Sequence, residues 1–228
     1  MNHDKLLVDA VVFDLDGTLI DSIQVHFKVL NTAFERLGLP PVSWEDAMEA
    51  AKEGRFDWDR VLPDENKTRR HEIITKCVEI IADIQSEMLR AHVRLIKGSV
   101  EVLRAIAETG MKIAIVTSTQ ERYIRDKLYP FDEAGIAYLF EVIITTDDVP
   151  LKKPAPAPLI ECGRRLGLPP ERMVYVGDSH VDIRAGKAAG TKTIGVLTGM
   201  DDYDALAAEQ PDAILESVLD LSEKILFT

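Results

Sequence analysis

Val11-Val12-Phe13-Asp14-Leu15-Asp16-Gly17-Thr18 joins a continuous apolar run to two carboxylates and a glycine. A β-branched run this short, with no polar alternation, predicts a strand buried on both faces of a parallel sheet. The same form recurs in Ile113-Ala114-Ile115-Val116-Thr117, Val142-Ile143-Ile144-Thr145, Val174-Tyr175-Val176-Gly177-Asp178 and Thr193-Ile194-Gly195-Val196. Helical patterns separate the runs, at about Ser99 to Thr109, Pro156 to Leu166 and His180 to Ala189. Gly110, Gly167 and Gly190 stand just past their ends, where a helix closes on a left-handed residue. Strand alternating with helix predicts an α/β fold, a Rossmann-like doubly wound parallel sheet built through right-handed crossovers.

One interval breaks that rhythm. Between the first strand and Ile113 no strand signal appears; a helical pattern from about Ile23 to Leu37 stops at Gly38 and Pro40-Pro41. A second helix begins at Ser43, with Asp46 three residues on as its capping box. A third runs from about Asn66 to Ala91, with Ile73, Ile74, Cys77, Ile80, Ile81 and Ile84 on its apolar face. Residues 20–93 are therefore expected to form an all-helical domain inserted into an α/β core made of residues 1–19 and 94–228.

The 228 residues carry 27 Lys and Arg against 39 Asp and Glu, a formal charge of −12. Such a field does not attract a phosphate backbone or an anionic membrane, so neither nucleic acid nor membrane is expected as a partner. A small anionic substrate would need a locally cationic site, which a bound metal ion can provide. Cys77 and Cys162 are the only cysteines, too few and too far apart for a disulfide scaffold or a structural zinc site. No stretch approaches the roughly 20 apolar residues of a membrane span, and Asp4 and Asp9 flank the N-terminal Leu6-Leu7-Val8 unlike a secretory signal. A soluble, cytoplasmic, reduced protein is expected.

In a parallel sheet the ligand crevice lies outside the carboxyl ends of the strands. Here those ends carry Asp14 and Asp16, then Thr117 and Ser118, then Thr145 to Asp148, then Asp178 and Ser179. Carboxylates crowded in one place repel one another unless a cation neutralises them, and oxygen-only ligands favour a hard cation such as magnesium. An EF-hand is excluded: the glycine falls at 17 instead of 19, Val25 replaces the final glutamate, and a strand precedes the loop.

The order Asp14-Leu15-Asp16-Gly17-Thr18, Thr117, Lys153-Pro154 and Gly177-Asp178-Ser179-His180-Val181-Asp182 resembles the four motifs of the haloacid dehalogenase superfamily. The likeness is to the subgroup with a helical cap after the first strand, which holds phosphoglycolate phosphatases and β-phosphoglucomutases. The resemblance spans nearly the whole chain, although the cap matches more in length and type than in residues. It implies a magnesium-dependent phosphatase acting on a small phosphorylated metabolite, in which Asp14 accepts the phosphoryl group as an aspartyl-phosphate. Asp16 would protonate the leaving alkoxide and later deprotonate water. The metal would be held by the Asp14 side chain, the Asp16 carbonyl and the Asp178 carboxylate. Thr117 and the amide that follows, at Ser118, would bind the phosphoryl oxygens, and Lys153 would supply positive charge. Asp182 and Ser179 would stand behind these residues, Asp182 orienting Lys153 or a metal-bound water.

Several of these residues have plainer roles when taken singly. Thr117 is an ordinary strand end, Lys152-Lys153 an ordinary surface pair, and Ser179 an ordinary helix cap. Asp147 and Asp148 are expected as loop carboxylates, His180 as a surface residue, and Trp44 and Trp58 as packing residues. In the helical domain, His26 lies near the start of the first helix, and Arg55 follows Gly54 in a loop suited to an anionic head group. Asp57, Trp58, Asp59 and Arg60 are neighbours that would serve equally well there. The alternatives to a phosphatase are a phosphosugar mutase with the same core, a pyrophosphatase, a dehalogenase, which needs neither Asp16 nor magnesium, and a silent binding module.

Overall fold

A computed structural model describes residues 5–52, 56–63 and 69–225. Along the chain, β1 (Ala10–Phe13) and β2 (Ile20–Asp21) precede four helices, α1 (Ile23–Arg36), α2 (Trp44–Ala51), α3 (Trp58–Val61) and α4 (Arg70–His92). After β3 (Arg94–Leu95) come α5 (Ser99–Glu108), β4 (Lys112–Val116), α6 (Glu121–Glu133), β5 (Phe140–Ile144) and α7 (Ala157–Leu166). The chain closes with β6 (Met173–Gly177), α8 (His180–Ala189), β7 (Lys192–Val196), α9 (Tyr203–Ala208) and β8 (Ala213–Leu215). These elements form two compact units, Met1–Asp21 with Arg94–Thr228, and Ser22–Val93. Ile20 and Asp21, read from sequence with the inserted helices, pair as β2 with β3 in the larger unit.

The larger unit holds a six-stranded sheet of order β5-β4-β1-β6-β7-β8, every pairing parallel. From β1 the chain builds outward through β4 and β5, then returns to the other side of β1 and builds outward again through β6, β7 and β8. The order therefore reverses beside β1, and such a switch point opens a crevice at the carboxyl ends of the strands. Asp14 is the first residue past β1. The sheet holds because its central strands meet no solvent: Val11, Val12 and Phe13, with Ala114, Ile115 and Val116 beside them, are fully buried. Each such Val, Ile or Phe side chain contributes about 1.5–3 kcal/mol through removal from water. Leu159, Cys162 and Leu166 of α7 cover one face at Val12, Ala114 and Ile144.

Among the described residues, the regular elements of the smaller unit are all helices. Val25, Val29, Leu30, Ala33 and Phe34 form the buried stripe of α1, of which Leu30 and Phe34 pack with Ala47, Ala50, Val61, Ile73 and Cys77 from the other three helices. Ser43 caps α2 by accepting the Asp46 amide at 3.0 Å, as its spacing predicts. The segment at which the third predicted helix was to begin, residues 64–68, lies outside the described residues, and α4 is helical from Arg70. Trp44 and Trp58 pack edge-on against Phe27 and Phe56.

Of the numbered elements, six have no counterpart in the sequence reading: the two-residue strands β2 and β3, the edge strand β8, and helices α3, α6 and α9. In α6 the apolar stripe Tyr123, Ile124, Phe131 is interrupted by Asp126 and Lys127, which are themselves buried, and by Pro130 inside the helix. A buried lysine on a core stripe masks the helical period, because its burial depends on a partner from elsewhere in the fold.

Candidate active site

Asp14 is 6% exposed and is held at the mouth of the sheet by its amide, which donates to Val176 O at 2.8 Å. The β1–β4 register, Phe13 beside Ile115, sets Asp14 level with Val116. Lys153 exploits that level, reaching Asp14 Oδ1 at 2.7 Å and Val116 O at 3.4 Å. The same ammonium reaches Asp182 Oδ1 at 2.6 Å and the Tyr175 hydroxyl at 2.8 Å, and it is as buried as the groups it joins. The Lys153–Pro154 peptide is cis. Asp182 is fully engaged: its other oxygen accepts from the Ser179 amide and hydroxyl, so Ser179 caps α8 while fixing Asp182.

Asp178 arrives from the end of β6 and is 3% exposed. Thr18 donates to its Oδ1 at 2.9 Å and the Met200 amide to its Oδ2 at 2.7 Å. Two glycines make that approach feasible. Gly17 has φ +78°, and a Cβ there would stand 2.5 Å from Asp178 Oδ2; a Cβ at Gly199 would overlap the same carboxylate. Thr198, next to Gly199, donates to Gly17 O at 2.6 Å and ties the β7 loop to the β1 turn.

Asp14, Asp178 and Asp182 each present a carboxylate oxygen within 4.8 Å of the others. Three carboxylates face one ammonium, so the ionised cluster carries two uncompensated negative charges. Burial pushes Asp14 up to about 7, with the charges of Asp182 and Asp16 adding to it and Lys153 opposing. Burial and the Asp14 and Asp182 charges likewise hold Asp178 well above the usual carboxylate range. Burial alone would depress Lys153, but Asp14 and Asp182 overcome it and keep the ammonium charged above its ordinary value. Asp14 thus shifts upward chiefly because it is buried, and Lys153 because it faces two carboxylates. A buried group of all-oxygen donors with that excess fits a hard divalent ion. Because Asp182 already serves Lys153, Tyr175 and Ser179, Asp14 and Asp178 are the side chains suited to hold it.

The carboxylate of Asp16 points into a separate set of contacts. Lys127 Nζ lies 2.6 Å from each of its oxygens and Thr119 Oγ1 donates to Oδ2 at 3.0 Å. The Thr117 hydroxyl donates to Thr119 at 3.1 Å and accepts the Thr119 amide at 3.1 Å. Ser118 is exposed between them. Lys127, Thr119 and Tyr175 were all missed from sequence, and only Lys127 on its apolar stripe and Tyr175 in a doubly buried strand carried a signal. Asp147 and Asp148 are loop carboxylates, accepting from the Glu121 and Thr145 amides.

His180, expected at the surface, is buried. Its Nδ1 and its amide both meet Asp201 Oδ2 at 2.6 Å, because the β7 loop that closes over Asp178 also brings Asp201 to the start of α8. His26 is half-buried in α1 of the smaller unit, and Arg55 lies outside the described residues. Among the described residues no helix is long and apolar enough to cross a membrane.

The family pattern of haloacid dehalogenase-like hydrolases matches residues 11–196 of this chain. The phosphoglycolate phosphatase of Salmonella choleraesuis strain SC-B67 is 33% identical over 240 aligned positions, covering 96% of this chain and 93% of that protein. The Escherichia coli K12 phosphoglycolate phosphatase is 32% identical, over 94% of this chain and 91% of its own length. A crystal structure from Haemophilus somnus 129PT, described as a predicted phosphoglycolate phosphatase, superposes with a TM-score of 0.81 at 25% identity, over 95% of this chain and 97% of that one.

Proposed function

The chain belongs to the haloacid dehalogenase-like hydrolases, and on that footing we propose a magnesium-dependent phosphatase that hydrolyses a small phosphomonoester through Asp14. The observation that carries this reading is the buried Asp14–Asp178–Asp182 cluster with Lys153 as its one ammonium, at the switch point of the sheet. The named relatives make phosphoglycolate the first substrate to test.

In the first half-reaction a carboxylate oxygen of Asp14 attacks phosphorus in line. The phosphorus–ester oxygen bond breaks, and Asp16 gives its proton to the departing alkoxide. In the second, Asp16 takes a proton from water, which attacks the aspartyl-phosphate; the Asp14–phosphorus bond breaks and phosphate leaves. Lys153 stabilises charge on Asp14 and the phosphoryl oxygens, while Thr117 and Ser118, at the end of β4, are assigned to those oxygens. Asp14, Asp178 and the Asp16 carbonyl are assigned as magnesium ligands, and the ion would supply the positive charge that lets an anionic nucleophile meet an anionic phosphate. Asp182 orients Lys153 at 2.6 Å.

The helical unit, inserted between the Asp14 turn and β3, is assigned to recognition of the leaving group, with His26 and Arg55 as its candidate contacts. Free, buried Cys77 and Cys162 suit a reducing cytoplasm.

The test is phosphate release from phosphoglycolate and from p-nitrophenyl phosphate. Magnesium should be required, and Asp14→Asn should reduce release to background while leaving the thermal transition cooperative. Turnover in excess chelator, or an active Asp14→Asn protein, would overturn the reading.

A further inference from the structure

Asp16 has two tasks in the proposed reaction, and nothing in its own motif explains what aims its carboxylate. The aim comes from α6. Lys127 is 3% exposed and Thr119 is 7% exposed, so neither is a surface residue meeting Asp16 by chance. The ammonium straddles both carboxylate oxygens at 2.6 Å and also reaches Thr119 Oγ1 at 2.8 Å. The hydroxyls then run in one direction: Thr117 donates to Thr119 and Thr119 donates to Asp16 Oδ2. Lys127 and Thr119 both donate to a carboxylate whose side chain stays 25% exposed.

We infer that Lys127, with Thr119, is the positioning residue for Asp16, holding the proton-transfer carboxylate in place without itself touching the phosphoryl group. The inference rests on the proposed phosphatase reading. The turn backbone is held, but the Asp16 side chain loses its orientation when its charged and polar anchors are removed, and general acid–base catalysis requires hydrogen-bond reach of the moving proton. The consequence is selective. A poor alkoxide leaving group needs the proton from Asp16 before it can depart, whereas an activated aryl leaving group does not.

The experiment measures kcat/KM, which covers steps up to the departure of the leaving group, on an alkyl phosphomonoester and on 2,4-dinitrophenyl phosphate. Lys127→Met should lower the alkyl value by about 100-fold, the lower range of general acid catalysis, and the dinitrophenyl value by less than about 5-fold. Thr119→Val, which deletes one neutral donor and is the smaller structural change, should show the same selectivity at about 5-fold. Lys127→Arg should restore part of the alkyl activity. In an Asp16→Asn background, Lys127→Met should add nothing, because both changes remove one function. Equal losses on the two substrates, or an additive loss in that background, would refute the positioning role while leaving the phosphatase reading intact. A wild-type protein with no magnesium-dependent release from either ester would instead remove the phosphatase reading on which the inference stands.

Discussion

Magnesium should stabilise this protein little at pH 5 and strongly at pH 8. Asp14 is pushed up to about 7 from its ordinary 3.8 by burial and by neighbouring carboxylates. Between those values the folded chain holds a proton that the unfolded chain has released, so stability falls as pH rises. Each pH unit costs about 1.4 kcal/mol for one such group, and the window of roughly three units amounts to about 4 kcal/mol for Asp14. Asp178 shifts in the same direction and adds to the decline. A divalent ion competes with those protons, so its binding relieves the penalty only where both carboxylates are ionised. Between pH 5 and pH 8 only the two units from 5 to about 7 count, about 2.7 kcal/mol, so at about 2–4 °C per kcal/mol the metal-dependent gain in Tm should grow by about 5–11 °C. Differential scanning fluorimetry in EDTA and in excess magnesium, at four pH values, measures this directly. The overall charge of −12 also lowers stability as pH rises, so Asp14→Asn is the internal reference. That variant should flatten the EDTA slope by about 1.4 kcal/mol per pH unit. A wild-type Tm in EDTA that rises from pH 5 to pH 7, or a magnesium gain that does not depend on pH, would refute the reasoning.

Other outcomes follow from single contacts. Lys153→Met leaves Asp14 and Asp182 buried without their shared ammonium, and urea unfolding at pH 7.5 should show a loss of about 3–5 kcal/mol. Gly199→Ala drives a methyl group into the Asp178 carboxylate; it should cost about 1–3 kcal/mol and weaken the magnesium-induced rise in Tm. Phe34→Ala empties a fully buried position of the helical unit, and its urea transition should shift by about 3–5 kcal/mol.

The parallel sheet was legible because its central strands are buried on both faces, and continuous runs such as Val11–Phe13 have no other economical fate. Asp14 and Asp178 were singled out because each follows such a run, and Lys153 because it precedes Pro154 in a pattern resembling the superfamily's motifs; the fold brings Lys153 to Asp14 and Asp178 into the same cluster. Elements that lean on one partner were not. β8 is a three-residue edge strand, and β2 and β3 exist only through each other.

Asp14-Leu15-Asp16-Gly17-Thr18 and its three companion motifs determine the α/β class and the acidic cluster at the strand ends, because strand burial and local turn chemistry are written in adjacent residues. Tertiary structure decided how the two carboxylates of that motif divide. Asp14 turns to Lys153 and the cluster with Asp178, and Asp16 turns to Lys127 and Thr119, 111 and 103 positions away in sequence. His180 is buried against Asp201 for the same reason. The energy of a buried charge depends on which partner folding brings within hydrogen-bond reach, and that partner lies too far along the chain for any local pattern to reveal.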